Sequence, residues 1–203
     1  TSRAASSPTK VTSGSTWHAA GLVGQLRATA NLTKLAQYTT QLYAELEAET
    51  GQATGFVQRG SVSIATNAER MEELLRGASM AKNFGLEVNR VTPAEVKKFW
   101  PLLNVDDIVG GVHLPGDGQT NPIDTTQALA KGARQRGAKI FENTKVERIR
   151  VEKGRAVGVE TESGYIAADT VVLCAGMWSH RLAADVNVAV PLHAAEHFYI
   201  VTE

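Results

Sequence analysis

The sequence predicts a mixed α/β protein in which a doubly wound sheet is combined with antiparallel strands. Helical segments alternate with short strands along most of the 203 residues. Residues 170–174 form a continuous apolar run, which is typical of a parallel strand buried on both faces. Residues 145–152 and 156–162 flank a Lys-Gly-Arg turn and predict an antiparallel hairpin. The length indicates one domain or two.

The predicted helices are residues 32–50, 68–84, 93–100 and 123–136. Leucines at helical spacing define the first helix, and a glycine follows the first, second and fourth as a C-terminal stop. Asn67 is suited to cap the second helix. Thr92 and Glu95 have the spacing of a capping box that opens the third helix, with Pro93 at its first position. That helix ends at Trp100, because a residue before proline disfavours the α conformation.

The remaining predicted strands are residues 55–58, 61–66, 87–91, 110–114, 138–141 and 164–167. Val62 and Ile64 alternate with small residues, which favours a strand. Residues 13–24 are glycine-rich and irregular, and residues 115–122 are predicted to form a turn-rich loop. The small, polar residues 1–8 are expected to be a disordered terminus, the other interpretation being a remnant of a targeting peptide.

Composition excludes several classes of protein. Lys plus Arg and Asp plus Glu both number 21, so the basic excess of a nucleic-acid binder is missing. No apolar run approaches the roughly 18 residues needed to cross a membrane. The single cysteine excludes a disulfide framework and indicates a reducing compartment. No His, Asp or Glu cluster has metal-ligand spacing. We therefore expect a protein that acts on a small molecule, without nucleic acid, membrane or metal.

Residues 12–22 read Thr-Ser-Gly-Ser-Thr-Trp-His-Ala-Ala-Gly-Leu. This segment resembles the flavin-proximal segment of the dimethylglycine and sarcosine dehydrogenases, which are FAD-dependent oxidoreductases of the D-amino-acid-oxidase-like superfamily. Three further blocks follow in the family's order, at residues 111–118, 171–178 and 196–203. The resemblance covers nearly the whole chain from Val11 onward. It implies a partial FAD-binding doubly wound domain with an antiparallel-sheet substrate domain.

The resemblance implies that one set of FAD-binding residues lies in this segment. They are Ser13, Gly14, Ser15, Trp17, His18, Ala19, Ala20, Gly21 and Leu22. Glycine and alanine let the backbone approach a bulky ring system, and hydroxyl groups suit phosphate or ring oxygens. In the family, a histidine at the position of His18 bonds covalently to the 8α carbon of the flavin. The alternatives are a loop histidine satisfied by backbone hydrogen bonds and, for Trp17, packing in the core.

A second set of FAD contacts is implied near the end of the apolar run, at Cys174, Ala175, Gly176 and Trp178. A tight turn between a strand and a helix is the alternative explanation of these residues. We expect Cys174 to be a thiol in the core and not a nucleophile, because no cationic neighbour in sequence would lower its pKa. Val146 matches a position whose backbone touches the adenine end of FAD.

His197 and Tyr199 are the expected catalytic residues. Their spacing places them on one side of a predicted strand, and the corresponding family strand lines the substrate cavity. The alternative is two amphipathic side chains at a sheet edge. His113 and His193 are interpreted as structural.

The implied activity is FAD-dependent oxidative demethylation of a small N-methyl amino acid such as sarcosine or dimethylglycine. The implied partners are the amine, an electron acceptor and, through a region outside this chain, folate. The expected location is the bacterial cytoplasm or the mitochondrial matrix. The alternatives are an FAD amine or D-amino-acid oxidase of other substrate range, and a catalytically silent binding domain.

The sequence contains no Gly-x-Gly-x-x-Gly turn after a strand. We therefore expect an internal fragment of an enzyme, which by itself would hold little FAD and be inactive. The expected division is into FAD-binding segments at residues 1–54 and 115–182 and substrate-domain segments at residues 55–114 and 183–203.

Overall fold

The computed structural model describes residues 4–6, 10–196, 198 and 200. Residues 12–137 form one compact unit, and residues 138–203 together with the N-terminal residues up to Val11 form a second. The helices are α1 (Ala30–Thr50), α2 (Ala68–Asn83), α3 (Pro93–Phe99), α4 (Pro122–Gln135) and α5 (Ser179–Ala184). The strands are β1 (Ala4–Ser6), β2 (Leu22–Val23), β3 (Ser61–Ala65), β4 (Asn89–Val91), β5 (Gly110–Leu114), β6 (Gly118–Gln119), β7 (Lys139–Phe141), β8 (Val146–Glu152), β9 (Arg155–Thr161) and β10 (Gly164–Ala167).

The helix boundaries follow local capping signals. Gly51 takes a left-handed conformation, with φ of 65°, after the last turn of α1. The side chain of Asn67 accepts a hydrogen bond from the backbone N–H of Arg70 at the start of α2. Thr92 and Glu95 form the predicted capping box at α3. The Thr92 backbone N–H donates to the Glu95 carboxylate, and this hydrogen bond lowers the pKa of that carboxyl group. These predictions are confirmed.

The core of the first unit lies between α2 and an antiparallel sheet of order β3–β5–β4. β5 is the central strand, with Gly111 opposite both Ile64 and Val91. The buried cluster consists of Ala81, Leu86, Val88, Val112 and Leu114. Val112 and Leu114, which alternate along β5, thus face the helix. The antiparallel pairing of β5 with β3 and β4 confirms the predicted antiparallel sheet.

A second antiparallel pair links a strand near the start of this unit to one near its end. β2 pairs with β6, placing Leu22 opposite Gln119. The predicted strand at residues 55–58 is reduced to a single bridge between Val57 and Gln119. The predicted loop at residues 115–122 contains β6 because Gly118 pairs with Val23, and Gln119 pairs with Leu22 and also with Val57.

The second unit is built on the antiparallel meander β8–β9–β10, as the sequence predicts. β7 pairs in parallel with β1, so that Ala5 lies opposite Ile140. The expectation of a disordered terminus is therefore wrong for Ala4–Ser6, because a parallel partner supplies the hydrogen bonds that the short polar segment cannot make within itself.

The prediction of a buried strand at residues 170–174 is wrong for this chain. The segment has no strand pairing, and Val172 is 76% exposed. A short 3-10 turn at Gly176–Trp178 and then α5 follow it. A parallel strand buried on both faces needs neighbouring strands and helices over both faces. Among the described residues, no strand pairs with this segment. The predicted division into FAD-binding and substrate segments stays a prediction.

Val112→Ala should lower the free energy of unfolding by about 2 kcal/mol, because it removes buried methyl groups and leaves a cavity against α2. Val112 is 3% exposed. Val109→Ala is the matched control, since Val109 is 51% exposed and precedes the same strand. Urea titration followed by circular dichroism measures both variants, and equal midpoints for the two would contradict this core.

Candidate functional site

The candidate flavin-proximal segment, residues 12–22, centres on a 3-10 turn at Thr16–His18. The backbone N–H of Ala19 closes this turn by donating to the Thr16 carbonyl at 3.2 Å. The turn brings the rings of Trp17 and His18 together, with centroids 3.6 Å apart and planes inclined by 35°. Trp17 is 55% exposed and His18 is exposed as well. The two rings thus lie at the surface of the unit, and Trp17 does not pack in its core.

The backbone of the flavin-proximal segment depends on left-handed conformations. Thr12, Gly14 and Gly21 have φ values of 81°, 80° and 78°. At Gly21 a Cβ atom would lie 2.1 Å from the carbonyl oxygen of Thr120. The Thr120 backbone N–H donates in turn to the Gly21 carbonyl at 2.8 Å. Glycine is therefore required at position 21 by a close approach between two chain segments as well as by the backbone conformation.

A cavity of about 310 Å³ opens where the flavin-proximal segment ends, between that end and the first turns of α1. Leu22, Leu32, Leu35 and Tyr43 supply apolar lining, and Arg27 lies at the same cavity. Leu22 is 80% exposed in this chain. Trp17 and His18 are not among the residues that line this cavity.

The second set of predicted FAD contacts lies in the other unit. Ala175 and Gly176 lead into the 3-10 turn, where Gly176 has φ of 55°. Trp178 is exposed, and Val146 is the half-buried first residue of β8. Cys174 is exposed, so its expected position in the core is wrong for this chain. The reason is the missing strand pairing of residues 170–174 among the described residues.

The predicted catalytic residues, His197 and Tyr199, lie outside the described residues. His113 is half-buried on β5 with its ring centroid 4.4 Å from that of Phe99, as expected of a structural histidine. His193 is exposed. Within the described ranges, no cluster of three or more potential metal ligands occurs, and none of the helices has the length and apolar character of a membrane span.

Asp117 is the residue of this region that sequence reasoning missed. It lies in the turn between β5 and β6 and is 7% exposed. Its carboxylate accepts a hydrogen bond from the Gln25 backbone N–H at 2.8 Å and another from the Ser61 hydroxyl at 2.6 Å. The signal available in the sequence was an acidic residue between two glycines, a pattern that is also typical of an exposed turn.

A family model described as FAD-dependent oxidoreductase matches residues 8–203. The chain belongs to this FAD-dependent oxidoreductase family. It is 42% identical to human mitochondrial sarcosine dehydrogenase over 200 residues, which are 96% of this chain. It is 40% identical over 188 residues, 93% of the chain, to 4-methylaminobutanoate oxidase (formaldehyde-forming) of Paenarthrobacter nicotinovorans. The resemblance to sarcosine dehydrogenase-like FAD oxidoreductases is thus confirmed.

The chain spans 22% of the human relative and 23% of the bacterial one. The structure of glycine oxidase from Bacillus cereus superposes with a TM-score of 0.77 at 31% identity, over 91% of this chain and 51% of that one. The mixed fold with its antiparallel sheet is therefore that of FAD-dependent oxidases, as the sequence predicts.

The flavin-proximal segment has the chemical groups that this family's cofactor requires. His18 is exposed, and residues 13–16 supply hydroxyl groups and a left-handed glycine. The cavity lined by Leu22, Leu32 and Leu35 offers apolar side chains. The chemical groups of these residues fit a flavin.

Gly21→Ala should lower the free energy of unfolding by about 2–4 kcal/mol, since a left-handed alanine costs roughly 1–2 kcal/mol before the overlap with Thr120 is relieved. Gly24→Ala is the matched control, because its Cβ would make only ordinary van der Waals contacts, 3.5 Å from the Arg27 guanidinium and 3.6 Å from an Asp117 carboxylate oxygen. We expect that variant to stay within about 0.5 kcal/mol of the parent. Urea titration gives the unfolding midpoints. A midpoint of Gly21→Ala equal to that of the parent protein would contradict the close contact between Gly21 and Thr120.

Proposed function

We propose that the protein containing this chain oxidises a small N-methyl amino acid of the sarcosine or dimethylglycine type, with FAD as the hydride acceptor. The observation that carries this proposal is the 42% identity with sarcosine dehydrogenase over nearly the whole chain. The exposed His18 beside Trp17, in a segment of small residues, supports it. FAD supplies the redox chemistry, and the protein supplies orientation and electrostatics.

His18 is the proposed point of covalent attachment. Its imidazole attacks as the neutral form, so the ring nitrogen must carry a free electron pair when the bond forms. When bound, FAD would supply the 8α carbon to which His18 bonds, and it would also take up the two electrons of the C–H bond that is replaced, while the proton passes to solvent. The exposure of His18 in the turn supports this role.

His197 and Tyr199 are proposed to handle the substrate ammonium group. Before hydride leaves the adjacent carbon, the amine must lose its proton, and an imidazole or a phenol can accept or orient that proton. The segments around residues 13–22 and 174–178, together with Val146, are proposed to contact the FAD. The chain's own residues thus divide into groups that hold the cofactor and groups that prepare the amine.

The partners and the location follow the relatives and are part of the proposal. An electron acceptor must reoxidise the flavin after each turnover. Folate is the proposed acceptor of the one-carbon product, through a region outside this chain. The relatives include a mitochondrial human protein and a bacterial one, and we propose the mitochondrial matrix or the bacterial cytoplasm accordingly.

A second substrate range is favoured by one observation. The oxidase named for 4-methylaminobutanoate is 40% identical to this chain, close to the 42% of sarcosine dehydrogenase. Its substrate is also an N-methyl amino acid, but the amine lies farther from the carboxylate. Both candidate reactions cleave the same kind of bond. Their substrates differ in the distance between the amine and the carboxylate.

Anaerobic mixing of the full-length holoprotein with sarcosine, dimethylglycine or 4-methylaminobutanoate distinguishes these candidates. Bleaching of the flavin absorbance by one of the first two supports the main proposal, and preferential bleaching by the third supports the second. A flavin that none of the three reduces would contradict both and favour a catalytically silent domain.

His18→Ala in the full-length protein should convert acid-stable flavin into flavin that acid releases. The parent protein is expected to keep its flavin fluorescence in the pellet after precipitation with trichloroacetic acid, because a C–N bond survives denaturation. His180→Ala is the matched control, since His180 is exposed on α5. Release of the whole flavin from the parent protein would remove the covalent attachment while leaving FAD binding intact.

Tyr199→Phe should slow flavin reduction by about 10²-fold, the lower range for a group that assists proton transfer, while the flavin spectrum barely changes. Stopped-flow absorbance under anaerobic conditions measures the rate. Tyr165→Phe is the control: it removes a phenol that donates to the Val157 carbonyl at 2.7 Å, in the meander. Reduction within about twofold of the parent, a barrier change of only ~0.4 kcal/mol, would assign Tyr199 a structural role.

A further inference from the structure

We propose that Asp117 is a positioning residue, which holds the end of the flavin-proximal segment against the sheet β3–β5–β4 and thereby sets the placement of Trp17 and His18. This inference rests on the proposed function, since it takes the flavin-proximal segment as the part that meets the cofactor. Asp117 is not among the residues proposed above to contact the cofactor or the amine.

The carboxylate of Asp117 joins two distant parts of the chain. One oxygen accepts from the backbone N–H of Gln25, two residues after β2, and the other accepts from the hydroxyl of Ser61, the first residue of β3. The backbone carbonyl of Asp117 accepts in addition from Gly60 at 2.7 Å. The ion pairs formed by the described residues do not include Asp117. Its buried charge is therefore compensated by N–H and O–H donors of fixed position.

The strand pairing around Asp117 makes this connection short and direct. β6 begins one residue after Asp117, and its Gly118 lies opposite Val23. Gly21 and Thr120 then continue the contact, with the Thr120 N–H donating to the Gly21 carbonyl at 2.8 Å. Only residues 19 and 20 separate His18 from this held stretch. A displacement of the turn that carries Asp117 is thus transmitted to His18 across very few rotatable bonds.

The Gln25 side chain also lies against the turn that carries Asp117. A Cβ on Gly116 would lie 2.7 Å from the side-chain nitrogen Nε2 of Gln25, so this side chain reaches the turn only because position 116 is a glycine. The Gln25 side chain itself donates to the Gly116 carbonyl. Gln25 therefore contacts the turn twice, with its side chain at the Gly116 carbonyl and with its backbone N–H at the Asp117 carboxylate.

The test uses Asp117→Ala and Asp117→Asn in the full-length holoprotein. Alanine removes both acceptors. Asparagine keeps the shape, and its amide oxygen can accept from Gln25 while its NH₂ group donates to Ser61, whose hydroxyl can turn. Gln58→Ala is the matched control, because Gln58 donates to the Gly116 carbonyl of the same turn and does not contact the carboxylate through that bond.

Amide hydrogen exchange provides a readout that does not depend on activity. Exchange in the peptide covering residues 21–27 should rise at least about tenfold in Asp117→Ala, and stay near the parent value in Asp117→Asn and Gln58→Ala. Asp117→Ala should keep its FAD. Its rates of covalent flavin attachment and of flavin reduction should each fall about tenfold or more, because a small misplacement of reacting groups slows a reaction strongly. The asparagine variant should recover most of both.

Two results would overturn the proposal. The first is unchanged exchange in Asp117→Ala. The second is faster exchange with parent rates of attachment and reduction, which would make the hydrogen bonds a stability feature alone. Where Asp117→Ala does not accumulate as folded protein, Ser61→Ala decides in its place: smaller changes in the same direction support the proposal, and parent values overturn it. If no N-methyl amino acid reduces the flavin of the parent protein, the proposed function fails. The role of Asp117 is then decided by amide hydrogen exchange and by the rate of covalent flavin attachment.

Discussion

The hydrogen bonds to the buried carboxylate of Asp117 are the constraint on which the first unit depends. They tie the backbone of Gln25 to the hydroxyl of Ser61, although 92 and 56 residues respectively separate these partners from Asp117 along the chain. A carboxylate placed in a protein interior is costly unless donors surround it. Once the two donors are in place, the turn, the start of β3 and the end of β2 cannot move independently.

Further contacts extend this arrangement from the turn to α4. The Thr54 carbonyl accepts from the Asn121 backbone N–H at 3.0 Å and from the Thr120 hydroxyl at 2.9 Å. Asn121 in turn caps α4, and its side chain accepts from the backbone N–H groups of Ile123 and Asp124. The flavin-proximal segment is therefore held by a continuous set of backbone contacts and caps, while the Trp17 and His18 rings remain at the surface.

Each unit carries a different set of the predicted FAD-binding residues. The unit of residues 12–137 contains the flavin-proximal segment, the apolar cavity and the Asp117 contacts. The other unit carries Cys174, Ala175 and Gly176 on an exposed stretch without strand pairing among the described residues.

The sequence by itself determined what depends on neighbours a few residues apart. The caps at Asn67 and Thr92, the glycine stop at Gly51 and the meander β8–β9–β10 were all predictable, because each rests on a backbone group and a side chain close in sequence. The motif of residues 12–22 indicated the family because its residues are contiguous in the sequence. Tertiary structure alone decided the burial of Asp117, the parallel pairing of Ala4–Ser6 and the exposure of Val172. Each of these depends on which distant segments come to lie alongside, and an apolar run or a single carboxylate does not encode its partners.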